Sequence, residues 1–176
     1  MPRQDLTPYL VPPGRHALHL SAGVRDALPA SGVTVFTVAD DASDTAAFSA
    51  RYGFDLEDCA NTIVLRYRQG GEERYAGVVS LGSRRLDVNG AVKAQLGAKK
   101  VSFADRETAT ALTGMKFGGI TVFGLPADWR VLVDAAVMER REVVIGAGLR
   151  AAKLLLAPEL LATLPAVEVA ALTLTP

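Results

Sequence analysis

Two glycine clusters are the residues of this sequence whose types and spacing best suit chemistry. In Phe117-Gly118-Gly119-Ile120-Thr121-Val122-Phe123-Gly124-Leu125-Pro126, three glycines punctuate an otherwise apolar segment. Glycine lets backbone approach a ligand closely and adopt positive φ, so the segment reads equally as a tight turn between strands or as a binding loop. The second cluster, Gly146 and Gly148, follows the strand-like run Glu142-Val143-Val144-Ile145. If both clusters open on one cavity, its walls present main-chain N–H groups and few acids or bases. Such a lining suits a neutral or ester substrate.

Other chemistries find less support. Gly146-x-Gly148-x-x-Ala151, with Glu168 twenty residues beyond Gly148, imitates a dinucleotide fingerprint. That fingerprint needs a helix whose N-terminus receives the pyrophosphate, and only residues 151–157 precede Pro158. No nucleotide cofactor is expected. His16 and His19 are the only histidines and have no third ligand type nearby, while Cys59 is the only cysteine. Neither a metal site nor an intrachain disulfide is expected, and Cys59 reads as a small buried apolar residue. No Gly-x-Ser-x-Gly elbow occurs, which sets a serine hydrolase aside.

The elements that must position these loops alternate in type. Residues 33–38 are β-branched and aromatic and read as a strand; aspartates within 40–44 offer N-caps for a helix through Tyr52, stopped at Gly53. Residues 62–68 and 73–79 flank Gln69-Gly70-Gly71, the pattern of a hairpin at the sheet's centre. Asp87 caps a helix through Leu96 that Gly97 ends, and residues 101–103 follow as a strand. A further helix runs from Asp105 to Gly114; strands are expected at 131–133, 142–145, 153–156 and 167–172, with a helix begun by Pro158. This interleaving gives an α+β fold: a mixed, strongly curled, barrel-like β-sheet with flanking helices. Residues 1–32 read as an N-terminal extension or leading helix, and 33–176 as the main domain.

The 176 residues are 49% hydrophobic, enough for one sizeable core, and lack any apolar run near the ~20 residues of a membrane span. No apolar stretch of signal-peptide length opens the chain, so a cytoplasmic protein is expected. Nineteen basic residues balance nineteen acidic ones, which argues against a grip on long nucleic acid, DNA included. A contact confined to a nucleic-acid end stays open. Arg84, Arg85, Lys93, Lys99 and Lys100 form either a modest patch that faces such a nucleic-acid end or ordinary solvated surface.

Taken in order, Asn61-Thr62-Ile63-Val64-Leu65, Leu96-Gly97-Ala98-Lys99-Lys100-Val101, Leu112-Thr113-Gly114, the 117–126 loop, Val133-Asp134 and Gly146-Ala147-Gly148-Leu149-Arg150 resemble the YbaK/ProRS-associated editing-domain family. The likeness runs from about Val33 to Leu172. It implies an aminoacyl-tRNA deacylase, freestanding and acting in trans, that hydrolyses the ester between a wrong small amino acid and the terminal adenosine. The implied partner is the 3′ end of a mischarged tRNA; a synthetase or an elongation factor stays open, as does the oligomeric state. In this family a lysine stands before the first long strand, and Asn61 holds that place. Its glycine loop carries a proline where Val122 stands.

The resemblance places Asn61, Gly118, Gly119 and Thr121 at the reacting centre. Val122, Phe123, Gly124, Asp134, Gly146, Gly148, Arg150 and Lys153 would contact substrate. Main-chain N–H groups would bind the ester carbonyl and adenosine, while water or the substrate's own hydroxyl attacks. Asn61 would orient substrate, Thr121 hold a water or the substrate amine, and Asp134 brace the loop or bind an amine. Lys116 and Lys153 are the candidates to supply the charge that Asn61 lacks. The alternative is a protein that keeps the pocket and binds aminoacyl-tRNA or a nucleotide-like molecule without turnover, and Asn61 is its best support.

Overall fold

Val33–Thr37 forms strand β1 in the computed structural model, which describes residues 2–174. Strands β2 (Ala60–Gln69) and β3 (Glu72–Leu81) make the expected hairpin, pairing from Ala60 with Leu81 to Gln69 with Glu72. Gly70 and Gly71 form its turn with φ of 60° and 83°, a left-handed pair that a two-residue hairpin loop requires. β4 (Lys100–Phe103), β5 (Arg130–Asp134), β6 (Val143–Gly146), β7 (Ala152–Leu156) and β8 (Val167–Ala170) complete the strands.

These strands divide into two sheets. One has the order β1-β7-β6, all antiparallel; the other is mixed, with the order β4-β2-β3-β5-β8 and parallel pairing at β3/β5 and β5/β8. The α+β class holds, but the barrel does not. Closure requires the two edge strands to pair, whereas β4 and β8 remain separate edges, and among the described strands β1, β6 and β7 share ladders only with one another. A single bridge, Cys59 with Val144, joins the two sheets.

Helices flank the sheets. α3 (Thr45–Tyr52) starts at Asp44, whose carboxylate accepts from the Ala47 N–H, and ends at left-handed Gly53; α5 (Arg106–Thr113) starts at Asp105 and ends at Gly114 in the same way. Between β3 and β4, Asp87 does cap a helical segment, accepting from Gly90 and Ala91. That segment opens as a π turn (Val88–Val92) before α4 (Lys93–Leu96). Pro158 begins a 3-10 helix (Pro158–Thr163). α6 (Ala135–Met138) follows β5 directly.

Residues ahead of β1 pack onto the rest. α1 (His16–His19) and α2 (Ala22–Ala27) are two short helices, and Leu20 and Val24 are buried in the cluster that holds Phe123, Ile145 and Leu154. The Val11 N–H donates to Val35 O at 2.8 Å. Period-two alternation then sorts β1, β6 and β7: Val35, Ile145 and Leu154 enter that cluster, whereas Phe36, Val144 and Leu155 face the aromatic cluster of Phe48, Tyr52 and Phe54. Lys153 and Gly146 point the second way, towards the site. No helix among the described residues is long and apolar enough to cross a membrane.

Candidate functional site

A cavity of about 460 Å³ lies where β2, α3, β6 and β7 meet. Asn61, Gly118, Gly146 and Lys153, from four separate parts of the chain, all line it. So do Ser43, Asp44 and Thr45 from the start of α3, together with Phe48, Cys59, Thr62, Phe103 and Phe117. Its volume falls within the ~300–1,000 Å³ common for small-molecule sites.

Lys153 brings a buried basic group to the cavity wall. Only 8% of it is exposed, it forms no salt bridge among the described residues, and its Nζ stands 5.1 Å from the centre of the Phe48 ring. Burial pushes its ammonium below the ordinary lysine range, while Cys59 and Asp44 nearby act in the opposite direction. Cys59 is no nucleophile at neutral pH: burial pushes its thiol up to about 11. Asn61 accepts a hydrogen bond from the Thr45 hydroxyl at 2.5 Å, which fixes its carboxamide. The hydroxyls of Ser43 and Thr62 are buried and without a partner. Each is a polar group that a bound ligand would satisfy.

The glycine loops meet, though mainly through each other. The Gly148 N–H donates to Gly119 O at 2.7 Å, Gly119 N–H to Lys116 O at 2.9 Å, and Lys116 N–H to Gly148 O at 2.9 Å. The amides of Gly119 and Gly148 are therefore engaged within the fold. Gly118 is exposed, and its N–H makes no backbone hydrogen bond among the described residues. A Cβ built on Gly118 would lie 2.7 Å from Arg150 Nη1 and 3.6 Å from Ser43 Oγ, so these three groups are neighbours. Arg150 itself donates to Asp40 Oδ1, Asp40 O and Phe117 O and so braces the loop.

Other residues of the sequence reading do not line the cavity. Thr121, Val122 and Phe123 are buried; the Thr121 N–H faces Met115 Sδ at 3.4 Å, and Val122 and Phe123 belong to the central cluster. Gly124 packs on the backbone of Gly23, and Gly148 on Ser21 and Val24. Lys116 is exposed outside the cavity. Asp134 is 1% exposed, and its carboxylate accepts from Leu172 N–H and Thr173 hydroxyl, tying the C-terminal segment to β5. The dinucleotide pattern is a turn between β6 and β7, with no helix to receive a pyrophosphate; Glu168 pairs with Arg130.

A family model, the aminoacyl-tRNA editing domain, matches residues 39–164. The chain belongs to this family. Among solved structures, its fold is similar to that of a candidate trans-editing enzyme for prolyl tRNA synthetase, with a TM-score of 0.75 and 21% identity, covering 94% of this chain and 99% of that one. It is also similar to the hypothetical protein APE2540, with a TM-score of 0.72 and 24% identity over 80% of this chain and 90% of that one.

Within this editing domain, Ser43, Asp44 and Thr45 are among the cavity residues that sequence reasoning missed. Their signal was present but taken by another role, because short polar residues before an alanine-rich helix read as caps. Asp134 carries a prediction of the opposite kind. Asp134→Ala is expected to cost about 2–3 kcal/mol in urea unfolding by orphaning the buried Leu172 N–H. The fraction that stays folded should keep its ligand affinity, because Asp134 lies outside the cavity.

Proposed function

We propose that this editing domain hydrolyses the ester linking a small amino acid to the terminal adenosine of a mischarged tRNA, acting in trans. One observation carries the reading: a buried ammonium that forms no salt bridge among the described residues lines a cavity together with unpartnered hydroxyls, in a member of the aminoacyl-tRNA editing family. The fold shared with a candidate trans-editing enzyme supports the second clause.

The chemistry assigned to the cavity is electrostatic. Water adds to the ester carbonyl carbon, the bond from that carbon to the ribose oxygen breaks, and the ribose hydroxyl leaves with a proton derived from the water. Negative charge grows on the carbonyl oxygen during the addition. Lys153 Nζ, the Gly118 N–H and the Ser43 hydroxyl are the donors that would meet it, and one such donor is worth about 3 kcal/mol in a water-poor site. Asp44 would hold the α-ammonium of the aminoacyl group, and Asn61, fixed by Thr45, would orient the ribose. No side-chain nucleophile is required, since an aminoacyl ester is already activated. The absence of the family lysine at Asn61 favours a second reading, a binder that holds aminoacyl-tRNA without turnover.

A panel of tRNAs mischarged with alanine, cysteine, serine or threonine separates the two. Release faster than the spontaneous rate on at least one substrate is the expected result; saturable binding without release would establish the binder instead. Asn61→Lys gives a second check. It removes the bond to Thr45 and brings another ammonium into the cavity that holds Lys153, so turnover is expected to fall about tenfold, the effect of losing ~1.4 kcal/mol of transition-state binding. A rise in turnover would mean that Lys153 does not supply the missing charge.

A further inference from the structure

A second depression adjoins the cavity. This groove of about 400 Å³ shares Asn61, Ile63 and Phe103 with it and continues past Arg84 and Arg85. Phe103 ends β4, an edge strand of the mixed sheet, and its ring is 59% exposed where the groove and the cavity meet. Arg84 and Arg85 are exposed and form no salt bridge among the described residues, although many of the chain's other arginines are paired. Among the described residues, the one acid that lines the groove, Asp87, has both carboxylate oxygens occupied by the Gly90 and Ala91 N–H groups. The other basic residues are placed elsewhere: Lys100 lines a separate depression with Arg66 and Arg68.

We propose that this groove is a track for the single-stranded 3′ end of the tRNA, with a base stacked on Phe103 and backbone phosphates met by Arg84 and Arg85. The proposal rests on the deacylase reading of the cavity and deepens it. An aminoacyl ester seated among Asn61, Gly118 and Lys153 is joined to a chain that must leave through the mouth, and the groove is the exit that shares Asn61 and Phe103 with the cavity. An exposed aromatic ring beside unpaired guanidinium groups is the arrangement that holds single strands without reading their sequence. It also reconciles zero net charge with a nucleic-acid substrate, since two phosphates need only two local cations.

The test uses binding, so it does not depend on turnover. Anisotropy titrations compare an uncharged acceptor-stem minihelix that keeps its single-stranded 3′ end with the same duplex trimmed flush. The native protein is expected to prefer the overhang by about tenfold or more. Arg84→Ala/Arg85→Ala should abolish most of that preference and lower the slope of log K against log salt by ~1.4, the share of two single-strand phosphates at ~0.7 each. Phe103→Ala should weaken overhang binding by about fivefold or more while leaving the flush duplex unchanged, as loss of one stacked base requires. Arg84→Lys/Arg85→Lys should keep most of the salt slope. No overhang preference in the native protein, or a preference that survives the double alanine change, would overturn the track. Failure of the deacylase reading looks different: the overhang preference persists while every mischarged tRNA stays intact.

Discussion

Lys153→Met is expected to lower hydrolysis of a mischarged tRNA by about a hundredfold or more, the usual loss when one transition-state donor is removed, and to raise the melting temperature at the same time. The two effects share one cause. β7 alternates so that Ala152 and Leu154 enter the apolar core, which leaves Lys153 on the face that packs against Phe48 and the cavity. There the ammonium lacks full hydration and has no ion-pair partner among the described residues, and keeping it charged costs free energy that an apolar side chain of similar length does not. Since the fold depresses this ammonium, the unfolded chain binds the proton more tightly, and stability rises as pH climbs through the depressed value towards the ordinary 10.5. The stability advantage of methionine therefore narrows as pH rises from the depressed value towards the ordinary one. Thermal unfolding of both proteins across pH 7–10, beside single-turnover deacylation, checks both halves. A variant that is more stable yet equally active would show that Lys153 has no part in the reaction.

Gly146→Ala is expected to destabilise the protein by about 3 kcal/mol, at the upper end for overpacking, because the added methyl meets backbone rather than a movable side chain. Its Cβ would stand 2.6 Å from both Gly119 O and Ile120 O. Relief requires the 117–126 loop to retreat, and that loop carries Gly118 and Ile120 in the cavity wall. Activity should fall further than stability alone explains, with KM rising as the wall shifts. The same reasoning holds from the opposite side, since a Cβ on Gly119 would lie 2.7 Å from Leu149 O. Urea unfolding measures the first effect, and KM measured where the variant is still folded measures the second. A loss below ~1 kcal/mol would mean that the two loops separate more easily than their hydrogen bonds imply.

Much of the fold was legible because its signals are local. Asp44 and Asp105 cap helices that Gly53 and Gly114 end, and the pair Gly70-Gly71 turns the hairpin where the spacing requires it. The division into two sheets, in place of the expected barrel, was not legible. Strand runs with period-two alternation fix which faces are buried, but whether β1, β6 and β7 join the edges of the larger sheet or pair among themselves depends on contacts between distant segments. The same limit applied to the site. The two glycine clusters do lie together, yet their closeness arises largely from backbone packing on backbone, as Gly119 and Gly146 show. From sequence, a glycine needed for a ligand and one needed for another loop look alike. Thr121, Val122 and Phe123 lie one residue beyond Gly118-Gly119, but the chain turns inward there and buries all three. The Ser43 hydroxyl is buried without a partner beside the cavity, a tertiary placement that no local pattern encodes.

The reading as a whole depends on an aminoacyl ester occupying the cavity among Asn61, Gly118, Gly146 and Lys153. A crystal structure of the protein with a non-hydrolysable analogue, an alanyl group joined by an amide to the 3′ position of adenosine, tests this most directly. The account predicts the alanyl carbonyl within hydrogen-bond reach of Lys153 Nζ, with its ammonium towards Asp44 and the adenine beside Phe103. An analogue bound elsewhere, or a cavity that stays empty at saturating analogue concentration, would contradict it.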